Sequence, residues 1–481
     1  MTRNYFYNLL LTLTNILFPI LSFPYASRVL GPIGIGKVQF ILSFAQYFAL
    51  FAALGIPVYG IKEIANRGHK KNRSLVFSEL ITIHLITSLL LAVLYLLIIY
   101  FIPFFHAERG IYLGAVCIVL FGFSTIDWLY SGLAEFKSIA LRSVTIKVIS
   151  ILLLFFLVRD RNDYDIYLYI MIFSLLGNNL LSFILLPRSV KILFKGLNLL
   201  KHVKPLLFIF ATTLASSMYT VMDTLLLGFL ANEKAVGLYT AAVRLTKVTL
   251  PFITSMGVVL VPVISKEFSK NNFSAVQTHL DKSFRYIAFF AIPAVIGLVL
   301  LAPELITIFS GPEFRNATIS MQILALLPLI IGFGHFFLIL ILVPAGKNKE
   351  MLISVCGGVI TSLGLNFLLV PSFQEMGSSI ANVCSEVVVT GLYIYHVKKY
   401  FSFNYDWNLL LKALVCSLLF IPIIGVMRSW NINMLVFLFL SGLSCVLAYL
   451  SIQRYLFKSH FLIEVIDFVR LKLKRGDNGG E

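Results

Sequence analysis

Charge is what this sequence has least of. Only 13% of its 481 residues are Asp, Glu, Lys or Arg, about half the roughly 25% of a soluble protein. So few charges cannot cover a water-facing surface. A soluble enzyme, a nucleic-acid binder and a disordered chain are excluded together. Acid is scarcer than base, with 22 Asp and Glu against 39 Lys and Arg. Cysteine is also sparse. The five (Cys117, Cys356, Cys384, Cys416, Cys445) sit in apolar runs without a CxxC pair, which excludes a disulfide framework or a thiolate metal centre. No P-loop, G-x-S-x-G or H-E-x-x-H occurs, so direct ATP hydrolysis and the common hydrolytic constellations are not expected. No metal or organic cofactor is expected, and the chain does not read as an enzyme. The apolar run after Arg3 reaches Val29 without an A-x-A site, so it reads as a first span and not as a cleaved leader.

What is abundant is apolar length. Hydrophobic residues make up 59% of the chain and Phe alone counts 43. A membrane helix needs about 20 mainly apolar residues. Fourteen runs qualify, near 8–30, 38–60, 76–102, 111–131, 140–158, 166–186, 205–229, 237–262, 286–303, 317–341, 351–371, 378–396, 409–427 and 433–453. Lipid leaves backbone groups unsatisfied in any open strand, and strand alternation is absent, so the expected class is all-α integral membrane. Basic residues cluster in alternate loops. Lys62, Arg67, Lys70, Lys71 and Arg73 follow the second run, and Arg188, Lys191, Lys195, Lys201 and Lys204 follow the sixth. The positive-inside rule then puts both termini in the cytoplasm, and the +17 net charge is explained by topology without nucleic acid. The tail from Arg454 mixes Phe461, Ile463, Ile466 and Phe468 with Lys458, Arg470, Lys472, Lys474 and Arg475, as a basic amphipathic helix on a membrane face would.

The chain repeats itself. Ala52–Glu63 reads AALGIPVYGIKE and Gly257–Glu267 reads GVVLVPVISKE; Leu30-Gly31 answers Leu227-Gly228, and Gly36 answers Gly237. The offset corresponds to six runs. Six is even, so both halves enter the membrane in the same sense, as a parallel repeat. The expected organisation is a lobe over 1–200, a second over 201–400, two appended helices over 401–453 and the tail over 454–481.

Four stretches carry a family likeness. Arg28-Val-Leu-Gly31-Pro-Ile-Gly34-Ile-Gly36 resembles the R-x-L-G-P-x-G-x-G signature of the polysaccharide-exporter family. These are Wzx-type flippases of lipid-linked oligosaccharides, within the superfamily of the MATE exporters. Asp127-Trp-Leu-Tyr-Ser-Gly132-Leu-Ala-Glu135-Phe-Lys137 resembles a second family motif, with Ala134 where Glu is usual. Asp223-Thr-Leu-Leu-Leu-Gly228 with Gly237-Leu-Tyr239, and Asn366-Phe-Leu-Leu-Val-Pro371 with Gly377, resemble two others. The likeness covers about residues 5–400. It implies a MATE-like fold of two six-helix lobes in parallel pseudo-two-fold repeat, lining a cavity that opens to alternate sides. It also implies a substrate, undecaprenyl-diphosphate-linked oligosaccharide, moved across the bacterial cytoplasmic membrane for O-antigen, capsule or exopolysaccharide. Membrane lipids, a polysaccharide polymerase and chain-length machinery are the implied partners.

Charged residues inside apolar runs are costly and are functional candidates by default. Arg244 and Lys247 share a helical face in the eighth run, Lys147 lies in the fifth, Arg142 near its end, and Arg28 closes the first. These five are the candidate cationic lining for a diphosphate, with snorkelling to headgroups the plain alternative. Asp127, Asp223 and Glu386 are candidates for coupling to H+ or Na+, against a plain role as salt bridges or helix-end hydrogen bonds. Pro19 and Pro24 are candidate hinges. His84 and His335 read as packing residues. A MATE-type exporter of organic cations is the alternative reading, which the in-span bases oppose. A membrane polymerase or ligase would need a long outer loop that this sequence lacks.

Overall fold

The computed structural model describes residues 2–66, 70–270, 272–401, 407–430, 432–459 and 462–463. Among these every regular element is a helix. In the first half they are α1 (Thr2–Ala53), α2 (Ile56–Ala65), α3 (Lys70–Phe101), α4 (Arg109–Leu120), α5 (Asp127–Gly132), α6 (Phe136–Leu157), α7 (Tyr164–Ile184) and α8 (Leu200–Leu230). They continue as α9 (Glu233–Lys247), α10 (Leu250–Ser269), α11 (Phe273–Ser310), α12 (Ala317–Leu324), α13 (Leu327–Phe337), α14 (Asn348–Tyr400), α15 (Trp407–Leu418), α16 (Phe420–Arg428) and α17 (Met434–Tyr455). Eleven helical stretches among the described residues are long and apolar enough to cross a membrane. The chain is a multi-pass membrane protein.

The helix boundaries correct several expected ones. The first two apolar runs are not separated by a loop over 31–37. One helix, α1, covers the first and most of the second, broken at the single residue Gly31 (φ 67, ψ −179). That conformation suits glycine alone, and Pro32 then starts the next helical stretch, where its missing N–H costs nothing. Runs eleven and twelve likewise share α14, broken at Gln374. There the chain doubles back. Ser378 Oγ donates to Asn366 Oδ1 at 3.0 Å, and a methyl on Gly377 would lie 2.6 Å from the Leu369 carbonyl, whereas 12 residues of straight helix span about 18 Å. Conversely, five runs expected to be continuous are interrupted: the second at Leu54–Gly55, the fourth between α4 and α5, the eighth between α9 and α10, the tenth between α12 and α13, and the thirteenth between α15 and α16. Most of the expected amphipathic tail, from residue 464 on, lies outside the described residues.

Two compact units form, Met1–Thr240 and Ala241–Glu481. In the first, α1 packs along α3, α4, α6, α7 and α8. One of its apolar cores gathers Ile56, Phe77, Leu80, Trp128, Tyr130 and Leu206. In the second, α11 is the central post against α10, α12, α13 and α15. The appended α15–α17 close a core of Phe289, Cys416, Phe420, Phe437 and Tyr449. Arg428 on α16 also pairs with Glu304 on α11 at 2.9 Å.

Candidate functional site

Four glycines of the repeated turns are explained by close packing. A methyl on Gly36 would lie 1.7 Å from the Glu233 carbonyl oxygen, and one on Gly237 would lie 1.9 Å from that of Pro32. The bend of α1 and the start of α9 therefore meet backbone to backbone. Gly228 leaves room for the Phe40 ring in the same way, and Gly60 for the ring of Trp128. Beside the Gly36 contact, Lys37 hydrogen-bonds Glu108, lies 3.9 Å from Glu233 and covers the Tyr164 ring at 4.7 Å. Burial raises the Glu233 carboxyl above the ordinary carboxylate range, and Lys37 opposes that rise. This charged group ties α1, α4, α7 and α9 together at one end of the first unit.

The candidate cations separate by environment. Arg142 is buried and committed. Its Nη2 donates to Asp127 Oδ1 at 3.2 Å, and its guanidinium covers the Tyr130 ring at 4.1 Å. Asp127 also accepts from Asn178 Nδ2 at 3.3 Å and Ser182 Oγ at 3.1 Å. The structure thus brings a proposed cationic residue and a proposed coupling acid into one ion pair, held by α5, α6 and α7. Lys147, one and a half turns further along α6, is half-buried. Its Nζ donates to the neutral Asn15 Oδ1 and stands 5.8 Å from the Phe18 ring centroid, both on α1. No described carboxylate makes an ion pair with it. Arg28 is exposed and turns back along its own helix, Nη1 donating to the Pro24 carbonyl at 3.3 Å. Arg244 and Lys247 are half-buried on the last turn of α9.

Asp223 is buried and accepts from Tyr239 Oη at 3.1 Å, so the two ends of the motif that contains them bond to each other. Glu386 is buried on α14 with Asn382, Thr390 and Tyr393, a polar stripe at i−4, i+4 and i+7 on one helical face. Thr390 Oγ1 reaches the Ile330 carbonyl of α13 at 3.2 Å. Helix α1 runs through Pro19 and Pro24 without a break; its non-helical residue is Gly31. His84 is buried with neither ring nitrogen hydrogen-bonded. His335 borders Gly257.

One polar network escaped the sequence reading. Glu79 lies inside the apolar run 76–102 and is fully buried. It accepts from Asn198 N at 2.9 Å, Lys201 Nζ at 2.7 Å and His202 Nε2 at 2.9 Å, while Tyr59 Oη meets His202 Nδ1 at 2.9 Å. A lone acid in an apolar run is the signal that could have found it. The backbone N–H groups of Lys191 and Leu193 donate to Ser74 Oγ and Ser78 Oγ at 3.0 and 2.7 Å. The α7–α8 connector is therefore fastened to α3 by polar bonds.

With this geometry in view, comparison with known proteins is decisive. The family of polysaccharide biosynthesis proteins matches residues 1–268. The chain belongs to this family. The MatE family matches residues 209–368. A Shigella dysenteriae protein named "Putative O-antigen transporter" is 24% identical over 78% of this chain and 94% of its own length. An Escherichia coli K12 protein of the same name is 24% identical over 82% and 96%. The lipid II flippase MurJ of Bacillus subtilis is 26% identical over 38% of this chain and 34% of its own. Among solved structures, a lipid II flippase MurJ in an inward closed conformation superposes with a TM-score of 0.77 at 16% identity, over 95% of this chain and 99% of that one. An inward-facing MATE multidrug transporter gives 0.63 at 18% identity, over 80% and 96%. The fold is that of the MATE and MurJ transporters.

Proposed function

We propose that the chain is a flippase that moves polyprenyl-diphosphate-linked oligosaccharide across the bacterial cytoplasmic membrane. The observation that carries this reading is the near full-length similarity to two proteins named for O-antigen transport. The half-buried Lys147 on α6, whose bonded partner is the neutral Asn15 amide, is in keeping with a charged head group. The glycan serves O-antigen, capsule or exopolysaccharide, and a polymerase with its chain-length machinery takes it up on the far side. Movement proceeds by alternating exposure of the binding site to the two faces, driven by an H+ or Na+ gradient through Asp223 or Glu386. The MATE-type cation exporter is the weaker reading, because the curated relatives are named for glycan and lipid II transport. Deleting the gene and extracting polyprenyl-diphosphate glycans tests the reading. Complete repeat units should accumulate, and a glycan pool identical to wild type would reject it.

The proposed topology has both termini in the cytoplasm and the Gly31 bend outside. Single cysteines replacing Ile33 and Lys195, both largely exposed, should react with an impermeant thiol reagent from opposite sides of the membrane. Reaction of both from one side would reject the topology.

A further inference from the structure

The α7–α8 connector presents two unlike sides. Toward the protein it offers backbone N–H groups. Those of Lys191, Leu193 and Asn198 are bonded to Ser74, Ser78 and Glu79. Away from the protein it offers side chains that water does not favour. Phe194 is 87% exposed and Leu200 83%. Residues 190–194 belong to no helix. Ile192 and Phe194 are both exposed. Around them stand Arg188, Lys191, Lys195, Lys201 and Lys204, with no Asp or Glu between Asp165 and Asp223.

The depth of this segment follows from the helix to which it is fastened. α3 has 32 residues, about 48 Å at ~1.5 Å per residue, against a hydrocarbon layer of about 30 Å. Its ends must project into the headgroup regions. Ser74, Ser78 and Glu79 lie in its first three turns, so the connector bonded to them sits at the level where headgroups meet acyl chains. An aromatic ring and a leucine among lysines at that level match the apolar-and-basic pattern of segments that rest in an interface. Lys201 is paired with Glu79, and with no acid in the segment the charges of Arg188, Lys191, Lys195 and Lys204 remain complementary to anionic lipid.

We infer that residues 188–204 form an anionic-lipid contact, with Phe194 and Leu200 set into the leaflet and Lys191 and Lys195 over phospholipid phosphates. The bonds from Ser74, Ser78 and Glu79 hold this strap at the right depth. The start of α8 is continuous with the strap, so its position responds to leaflet charge.

The test needs no transport assay. A nitroxide is placed on a single cysteine at Phe194, with the five native cysteines replaced, and the full chain is put into nanodiscs of phosphatidylcholine alone or mixed with phosphatidylglycerol. In the anionic discs the nitroxide should be reached by oxygen and shielded from a water-soluble nickel chelate. Each basic residue near an anionic surface shifts the partition roughly fivefold, so Lys191→Gln with Lys195→Gln should cut the shielded fraction's advantage about thirtyfold. If replacing the cysteines impairs folding, benzoylphenylalanine at position 194 of the native chain gives a second readout: photo-crosslinks to phosphatidylglycerol support the contact. Full nickel access in both lipids, or shielding that ignores lipid charge, would overturn it.

Discussion

Gly36→Ala and Gly237→Ala should each cut glycan export about fivefold to 150-fold while the protein still inserts. The methyl at Gly36 would fall 1.7 Å from the Glu233 carbonyl, and that at Gly237 1.9 Å from the Pro32 carbonyl. Both obstacles are backbone, so neither can swing aside as a side chain tip would. The bend of α1 must separate from the start of α9. Overpacking of this kind costs about 1–3 kcal/mol, a roughly 5- to 150-fold loss in the population of the packed arrangement. A transporter that must close this face in each cycle loses turnover by a similar factor. Gly110, with nothing within 4 Å of a methyl, is the control, and Gly110→Ala should export normally. A second readout is accessibility. The cysteine at Ile33 should label faster from outside in the Gly36→Ala background. Normal export and unchanged labelling in both glycine variants would show that the contact is not a gate.

Those glycines mark how far the sequence was legible. Gly36 and Gly237 stood out as matching punctuation in the two halves, but their reason, mutual contact, is a three-dimensional fact. The apolar runs were plain because about 20 hydrophobic residues in a row have few other uses. Where one helix ends and the next begins was not plain. Hydropathy cannot distinguish the left-handed turn at Leu54–Gly55 from continuous helix, since both residues suit an apolar run. It also cannot show that Gly31 alone, with φ 67, does the work of an expected seven-residue loop. The charged residues show the same limit. Asp127 and Arg142 were both visible as charges near span ends, yet only the α5–α6 turn sets them 3.2 Å apart. Glu79 sat unnoticed among its apolar neighbours because its partners come from the α7–α8 connector and the start of α8, more than a hundred residues later.

The same distinction between paired and unpaired charge yields the last prediction. A diphosphate carries about two negative charges across a slab about 30 Å thick, and unpaired there they would be prohibitively costly. A basic side chain helps only if its charge is not already spent. Arg142 is spent on Asp127, whereas the bonded partner of Lys147 is the neutral Asn15 amide. Lys147 is therefore the in-span base of the first unit best able to meet a phosphate. Lys147→Ala and Lys147→Met should lower surface polysaccharide about tenfold to a hundredfold, the effect of losing a charge-assisted hydrogen bond of about 1.5–3 kcal/mol. Protein level should not change. Lys147→Arg should keep part of the activity, because it retains the charge while exchanging a point donor for a planar fork. Arg142→Ala should behave differently. It leaves a carboxylate without its counter-charge, so the amount of folded protein should fall. Adding Asp127→Asn should restore that amount, because the stranded charge is then gone. Normal export by Lys147→Ala would make that lysine an anchor, and equal protein levels in Arg142→Ala and the double variant would make the Asp127–Arg142 pair dispensable to the fold.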